Sequence, residues 1–324
     1  AMGCRGSVQQ RWEKAGGQEL DPVLRSGAVS LVNAEWMVAR AGSGGVLDPR
    51  QAMQPAAFIS HSRVKAATVD DLLHVVAISH SWLQADHPDP RGHNLRILGR
   101  ALSMLATDPE PFFQGRWAAF LDFCCIHQNC RDREGVPQRH TYQRLEDSGA
   151  LEEDAIGRFE REQALFKEAL GSLGLFYSHP NTVVFMLTRF PDDYDDPARY
   201  TRSGNTEPYF HRGWCFCESS WSMLAKSSLR LVDLGRSTGV ETCFFGSFGR
   251  ADSVVATCAA GRRAPLLPDA FESELQSKGF TNGKDDRPRV AELYRAAFAK
   301  RLEAAQQLAY SDLEWGDEEA QQLA

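Results

Sequence analysis

No run of apolar residues in the chain approaches the roughly 20 that a membrane-crossing helix needs, and the opening residues AMGCRGS lack the apolar core of a signal peptide. These absences predict a cytoplasmic protein with no membrane partner. An excess of positive charge is also missing. The 36 basic residues face 43 acidic ones, for a net charge of -7, which argues against a general nucleic-acid-binding surface and predicts no nucleic-acid partner. The glycine patterns G-x-x-x-x-G-K-[ST] and G-x-G-x-x-G do not occur, and neither does H-x-E…P-C-x-x-C. A Walker-type ATPase, a standard dehydrogenase and a zinc deaminase are therefore unsupported. No paired C-x-x-C is present among the eight cysteines. Cys124, Cys125, His127, Cys130, Cys215 and Cys217 are the tempting zinc ligands, but their spacing is poor, and the expectation is no metal. Several cysteines lie in apolar, strand-like runs, which fits reduced thiols packed in a cytosolic protein.

What is present suffices for a sizeable core: 324 residues, 43% hydrophobic and 10% aromatic. From about residue 70 the pattern alternates. LHVVAISH reads as a strand buried on both faces. HNLRILGRALSMLA reads as a helix with Leu95, Leu98, Leu102 and Leu105 on one side. RWAAFLDFCCI is the next predicted strand. After the charged stretch 131–149 comes a long helix striped by Phe166, Ala169, Leu173 and Phe176. NTVVFMLT and SLRLVDL read as two more strands, separated by the predicted helix RGWCFCESSWSMLA. Strands alternating with helices predict an α/β fold with a parallel sheet, whose ligands bind at the carboxyl ends of strands. Residues 1–70 read as a leader packing on the core, 71–260 as the α/β domain, and 261–324 as a helical extension with its two helices joined by TNGKDD.

Within this frame, four segments carry candidate chemistry. On a helix, Trp214, Glu218 and Trp221 share one face at i, i+4 and i+7. A carboxylate between tryptophans on a burying face is costly unless it is used or paired. Glu218 is thus either functional or tied to a nearby arginine such as Arg212. In FLDFCCIHQNC, alternation sets Asp122, Cys124, Ile126 and Gln128 on one side of a strand. Asp122 is either a ligand contact or a loop-bracing carboxylate. In WLQADHPDPRGHNL, Gly92 lets a helix start close by, and its amides could cradle a phosphate with Arg91 or Arg96 assisting. Finally, Ser79, His80 and Trp82 stand where a strand runs out. His80 could be a base, a stacking group or a satisfied strand-end histidine. As sequence neighbours on a strand, Ser79 and His80 point apart and do not make a catalytic pair.

The order of these motifs resembles the heterokaryon-incompatibility (HET) domain. That family carries SY/SH-x-W, then W-x-D-x-x-CI-x-Q, then a late R-x-W-C-x-x-E. Here the first is Ser79-His80-Ser81-Trp82, and the second runs from Asp122 to Gln128 with Trp117 ahead of it. The third is Arg212-Gly213-Trp214-Cys215-Phe216-Cys217-Glu218. The same order is similar to the Toll/interleukin receptor (TIR) domain. Over roughly 75–235 the resemblance implies a flavodoxin-like, TIR-like parallel sheet with helices on both faces. It also implies cleavage of the nicotinamide–ribose bond of NAD as substrate, with cyclic ADP-ribose as an additional product, in a stress or immune-type response. Glu218 is then catalytic. Ser79, His80, Trp82, Arg91, Asp122, Arg212 and Trp214 then form the substrate site, and self-association supports activity. The HPDP loop, the 131–160 segment and the C-terminal helices depart from the family pattern. Two further readings stay open: a non-catalytic TIR-like assembly module, and a nucleoside or nucleotide glycosidase or transferase on a similar fold.

Overall fold

Val75 to Ile78 form an uninterrupted apolar run, and this run becomes the centre of the sheet. In the computed structural model, which describes residues 17–61, 64, 73–109, 115–128, 152–202, 204–246, 250–305 and 315–317, the chain opens with helix α1 (Gly17–Arg25), strand β1 (Val32–Asn33) and helix α2 (Ala34–Gly42). Strand β2 (Leu73–His80) follows, then α3 (His93–Ala106) and β3 (Arg116–Phe120). Next come the short α4 (Asp122–Cys125), the long α5 (Glu152–Ser178) and β4 (Val183–Leu187). Helix α6 (Gly213–Ser222), β5 (Leu231–Asp233), α7 (Val254–Cys258), α8 (Pro268–Leu275) and α9 (Gly283–Glu303) complete the order.

The five strands lie in the order β1-β3-β2-β4-β5. Strand β1 is antiparallel to β3, and the other neighbours are parallel, as the alternation predicts. The chain leaves β2 for β3 on one side and then crosses back to β4 on the other. Right-handed crossovers therefore carry α3 and α5 to opposite faces of the sheet. Leu95, Leu98, Leu102 and Leu105 are buried as their spacing demands, and so are Ala169, Leu173 and Phe176. Phe176 stacks on Phe120, with ring centroids 4.1 Å apart. Among the described residues, no helix is long and apolar enough to cross a membrane.

One expectation changes. The strand predicted over RWAAFLDFCCI ends at Phe120, and Asp122 opens a helical turn instead of sitting mid-strand. Asp122 Oδ1 accepts the Phe123 amide at 2.7 Å, a local side-chain bond that competes with the sheet ladder. Strict alternation then fails, and Cys124 and Cys125 are both buried. Neither thiol points to a metal: Cys125 donates to the Ala119 carbonyl at 3.3 Å and Cys124 to the Leu121 carbonyl at 3.6 Å. Cys130 and the 131–149 stretch lie outside the described residues.

The helices of the extension pack on the main core. Phe271 of α8 is fully buried, stacked on Phe216 of α6 at 4.9 Å and on Tyr294 of α9 at 3.8 Å. Between those helices, Gly279 donates its amide to the His211 carbonyl at 2.7 Å, and its own carbonyl accepts the Gly213 amide at 2.9 Å. This pairing seats Phe280 directly on Gly213, where a Cβ would stand 1.9 Å from the ring. The glycine of RGWC is thus a steric requirement. Gly213→Ala should displace Phe280 and lower stability by about 1–3 kcal/mol, the usual cost of overpacking, as read by chemical denaturation.

Candidate active site

A cavity of about 310 Å³ opens outside the carboxyl ends of β2 and β3, bounded by α5, α6 and the segment linking α8 to α9. Its lining combines apolar Phe166, Leu170 and Leu173 of α5 and Phe280 with His80, Trp82, Asp122, Arg212, Trp214 and Glu218. The structure therefore brings together six of the eight residues singled out in the sequence.

Ser79 is the seventh, standing behind the wall. Its hydroxyl donates to Glu218 Oε2 at 2.5 Å and lies 2.5 Å from the Tyr209 hydroxyl. With Glu218 ionised, Ser79 has one proton to give it and must accept from Tyr209. The strand-end serine thus holds the carboxylate in place through a hydroxyl relay that starts at Tyr209.

Glu218 is 7% exposed yet borders the cavity. Burial pushes its pKa well above the usual carboxylate range, and the charge of Asp122 adds to this; hydrogen bonds from Ser79 and Tyr177 pull the other way. A folded pKa above the unfolded one means that the native state holds the proton more tightly. The stabilising contribution is then complete at acid pH and is lost as pH rises through the folded value. Replacing Glu218 by glutamine should remove this loss. The variant should therefore gain stability relative to wild type as pH is raised, by at most about 1.4 kcal/mol per pH unit crossed, in parallel melts across the pH range.

Arg212 does not pair with Glu218. Its Nε donates to the Glu207 carbonyl and its Nη1 to the Trp82 carbonyl, both at 2.6 Å, and its guanidinium packs over Phe190. Nη2 is buried and makes no hydrogen bond. The first two contacts clamp the loop after β2 against the start of α6. Trp221 also departs from the expected face. It is fully buried, set against Tyr177 and Gly174, and takes no part in the cavity.

The two tryptophans that do line the cavity share one feature. Trp82 donates its indole N–H to Asp122 Oδ2 at 3.4 Å, and Trp214 donates its own to Asp286 Oδ2 at 3.2 Å. Burial raises the pKa of Asp286, which stands in the first turn of α9. His80 Nε2 lies 3.9 Å from Asp122 Oδ1 without a hydrogen bond. Burial lowers the His80 pKa against the opposing pull of Asp122, which favours a neutral ring. Of the readings open for His80, the satisfied strand-end histidine does not hold.

Comparison with protein-family models, curated proteins and solved structures finds no match for this chain. Its site must be read from its own atoms.

Arg91 is the eighth residue, and it does not join the others. It is exposed on the loop before α3 and does not line the cavity. The phosphate cradle expected there is also closed. Asp89 Oδ2 accepts the Leu95 amide at 2.8 Å, which places a carboxylate at the helix start and repels a second anion. Gly92 takes a left-handed φ of 64°, and a Cβ on it would meet the Gly45 carbonyl oxygen at 2.6 Å. It serves packing against the N-terminal segment.

Sequence reasoning missed Tyr209, Phe280 and Asp286. Tyr209 precedes the RGWC motif by a few residues and carries no pattern of its own. Phe280 immediately precedes TNGKDD and Asp286 is its last residue; the composition of that turn signals only a helix start. No three histidine, cysteine, aspartate or glutamate residues among those described are grouped to hold a metal ion.

Proposed function

We propose that the chain is a hydrolase that cleaves the nicotinamide–ribose bond of NAD, with Glu218 as the catalytic carboxylate. The observation that carries this reading is a buried carboxylate, fixed by a serine hydroxyl, facing a cavity at the carboxyl ends of parallel strands. Loss of nicotinamide leaves a ribosyl centre with oxocarbenium character. A carboxylate close to that centre stabilises the developing positive charge. Burial and Asp122 resist ionisation of Glu218 in the free protein. In NAD the positive charge sits on the nicotinamide ring and moves to the ribosyl carbon as the bond breaks, so a carboxylate set against that carbon interacts more strongly with the transition state than with the ground state.

The sheet order supports the resemblance to TIR-like and HET domains. Counting only the parallel strands, it runs second, first, third, fourth, which is the beginning of the flavodoxin-like 2-1-3-4-5 arrangement. In that reading the protein is a cytoplasmic, self-associating NADase of a stress or immune-type response. Cyclic ADP-ribose is then an additional product.

The test is incubation of the purified protein with NAD at high protein concentration, with and without a crowding agent. Nicotinamide release is followed by chromatography. No release under any of these conditions would leave the assembly module as the better account.

A further inference from the structure

We propose that the cavity selects a cationic aromatic ring, such as an N-alkylated or N-ribosylated pyridinium, over its neutral counterpart, through the paired side chains Trp82–Asp122 and Trp214–Asp286. The inference rests on reading the cavity as the substrate site and names the charge state of the group that enters it.

The arrangement is built twice from separate parts of the chain. Trp82 follows β2 and its aspartate follows β3; Trp214 lies in the first turn of α6 and its aspartate in the first turn of α9. In each pair a carboxylate accepts the indole N–H. It feeds electron density into the ring and makes the ring face more attractive to a cation. Three carboxyl groups border the cavity: Asp122, Asp286 and Glu218. Arg212 is the one arginine or lysine lining it among the described residues, and two of its donors are committed to backbone carbonyls. Phe166, Leu170, Leu173 and Phe280 add apolar lining, which lowers the local dielectric and strengthens charge attraction relative to bulk water. A neutral ring of the same shape gains the stacking but not the attraction.

Size limits the occupant as well. About 310 Å³ is at the lower end of ligand cavities, which run from roughly 300 to 1,000 Å³. It suits a ring with its sugar, and the adenosine half of a dinucleotide would lie outside it. A brace with no recognition role would show the same two hydrogen bonds, and binding separates the two possibilities.

The test compares 1-methylnicotinamide, a permanent cation, with nicotinamide, its neutral analogue with the same ring and carboxamide. Binding to the full chain is read by calorimetry and by quenching of tryptophan fluorescence. The cation is expected to bind at least about tenfold more tightly. Asp286→Asn and Asp122→Asn should each reduce severalfold the ratio of the two affinities. Equal affinities in the wild type would overturn the proposal whatever the variants do, and so would a preference untouched in both variants. If the cation preference is present but NAD is not cleaved, this inference stands and the enzymatic reading falls. If NAD is cleaved without the preference, the enzymatic reading stands and this inference falls.

Discussion

Glu218→Gln should lower nicotinamide release from NAD by about a hundredfold or more in a protein that folds normally. The amide matches the carboxylate in shape, and its oxygen can still accept the Ser79 hydroxyl. What it cannot supply is a negative charge opposite the ribosyl centre. Had Glu218 been half of a buried ion pair with Arg212, the same change would have cost about 3–5 kcal/mol of stability. Arg212 is committed to the Glu207 and Trp82 carbonyls instead, so no such loss is expected. Nicotinamide release and melting temperature measured on one sample decide the matter. Full activity in a well-folded variant would remove Glu218 from the chemistry.

Phe271→Ala should destabilise the whole protein by about 3–5 kcal/mol, the range for deleting a fully buried phenylalanine, and should leave one unfolding transition. Phe271 sits between Phe216 of α6, the helix that carries Glu218, and Tyr294 of α9, with both rings stacked on it. If the extension were a separate unit, the substitution would melt it alone. Differential scanning calorimetry would then show two transitions, or a global loss below about 1 kcal/mol.

These two residues mark what could and could not be read from the chain. Glu218 was visible because a carboxylate inside WCFCESSW violates the apolar character of its surroundings, and such violations concentrate at functional sites. Strands β2, β4 and β5 were visible because short apolar runs bounded by polar residues leave few alternatives. The end of β3 was not, since Phe123, Cys124 and Cys125 all suit a strand and a single hydrogen bond to Asp122 turns the chain. The wall made by Phe280 and Asp286 was hidden for another reason. It depends on where a distant segment docks, and nothing in TNGKDD says so. Arg91 misled because an arginine and a glycine before a helix look the same whether the helix start is open or already capped by Asp89.

The hydroxyl contact between Ser79 and Glu218 joins residues 139 apart in the chain, and Phe280 and Asp286 add their wall later still. During synthesis, a ribosome that has released β2, β3 and α5 has made a sheet face with no carboxylate of α6 on it. Glu218 then emerges, but its cavity stays open to water until the stretch through Asp286 has followed. Chains that stop within α8 or before Asp286, through premature termination or proteolysis, therefore carry the carboxylate without the lining that Phe280 and Asp286 add. With NAD as the proposed substrate, the need for synthesis to pass Asp286 is itself a safeguard against unregulated consumption of a shared cellular cofactor.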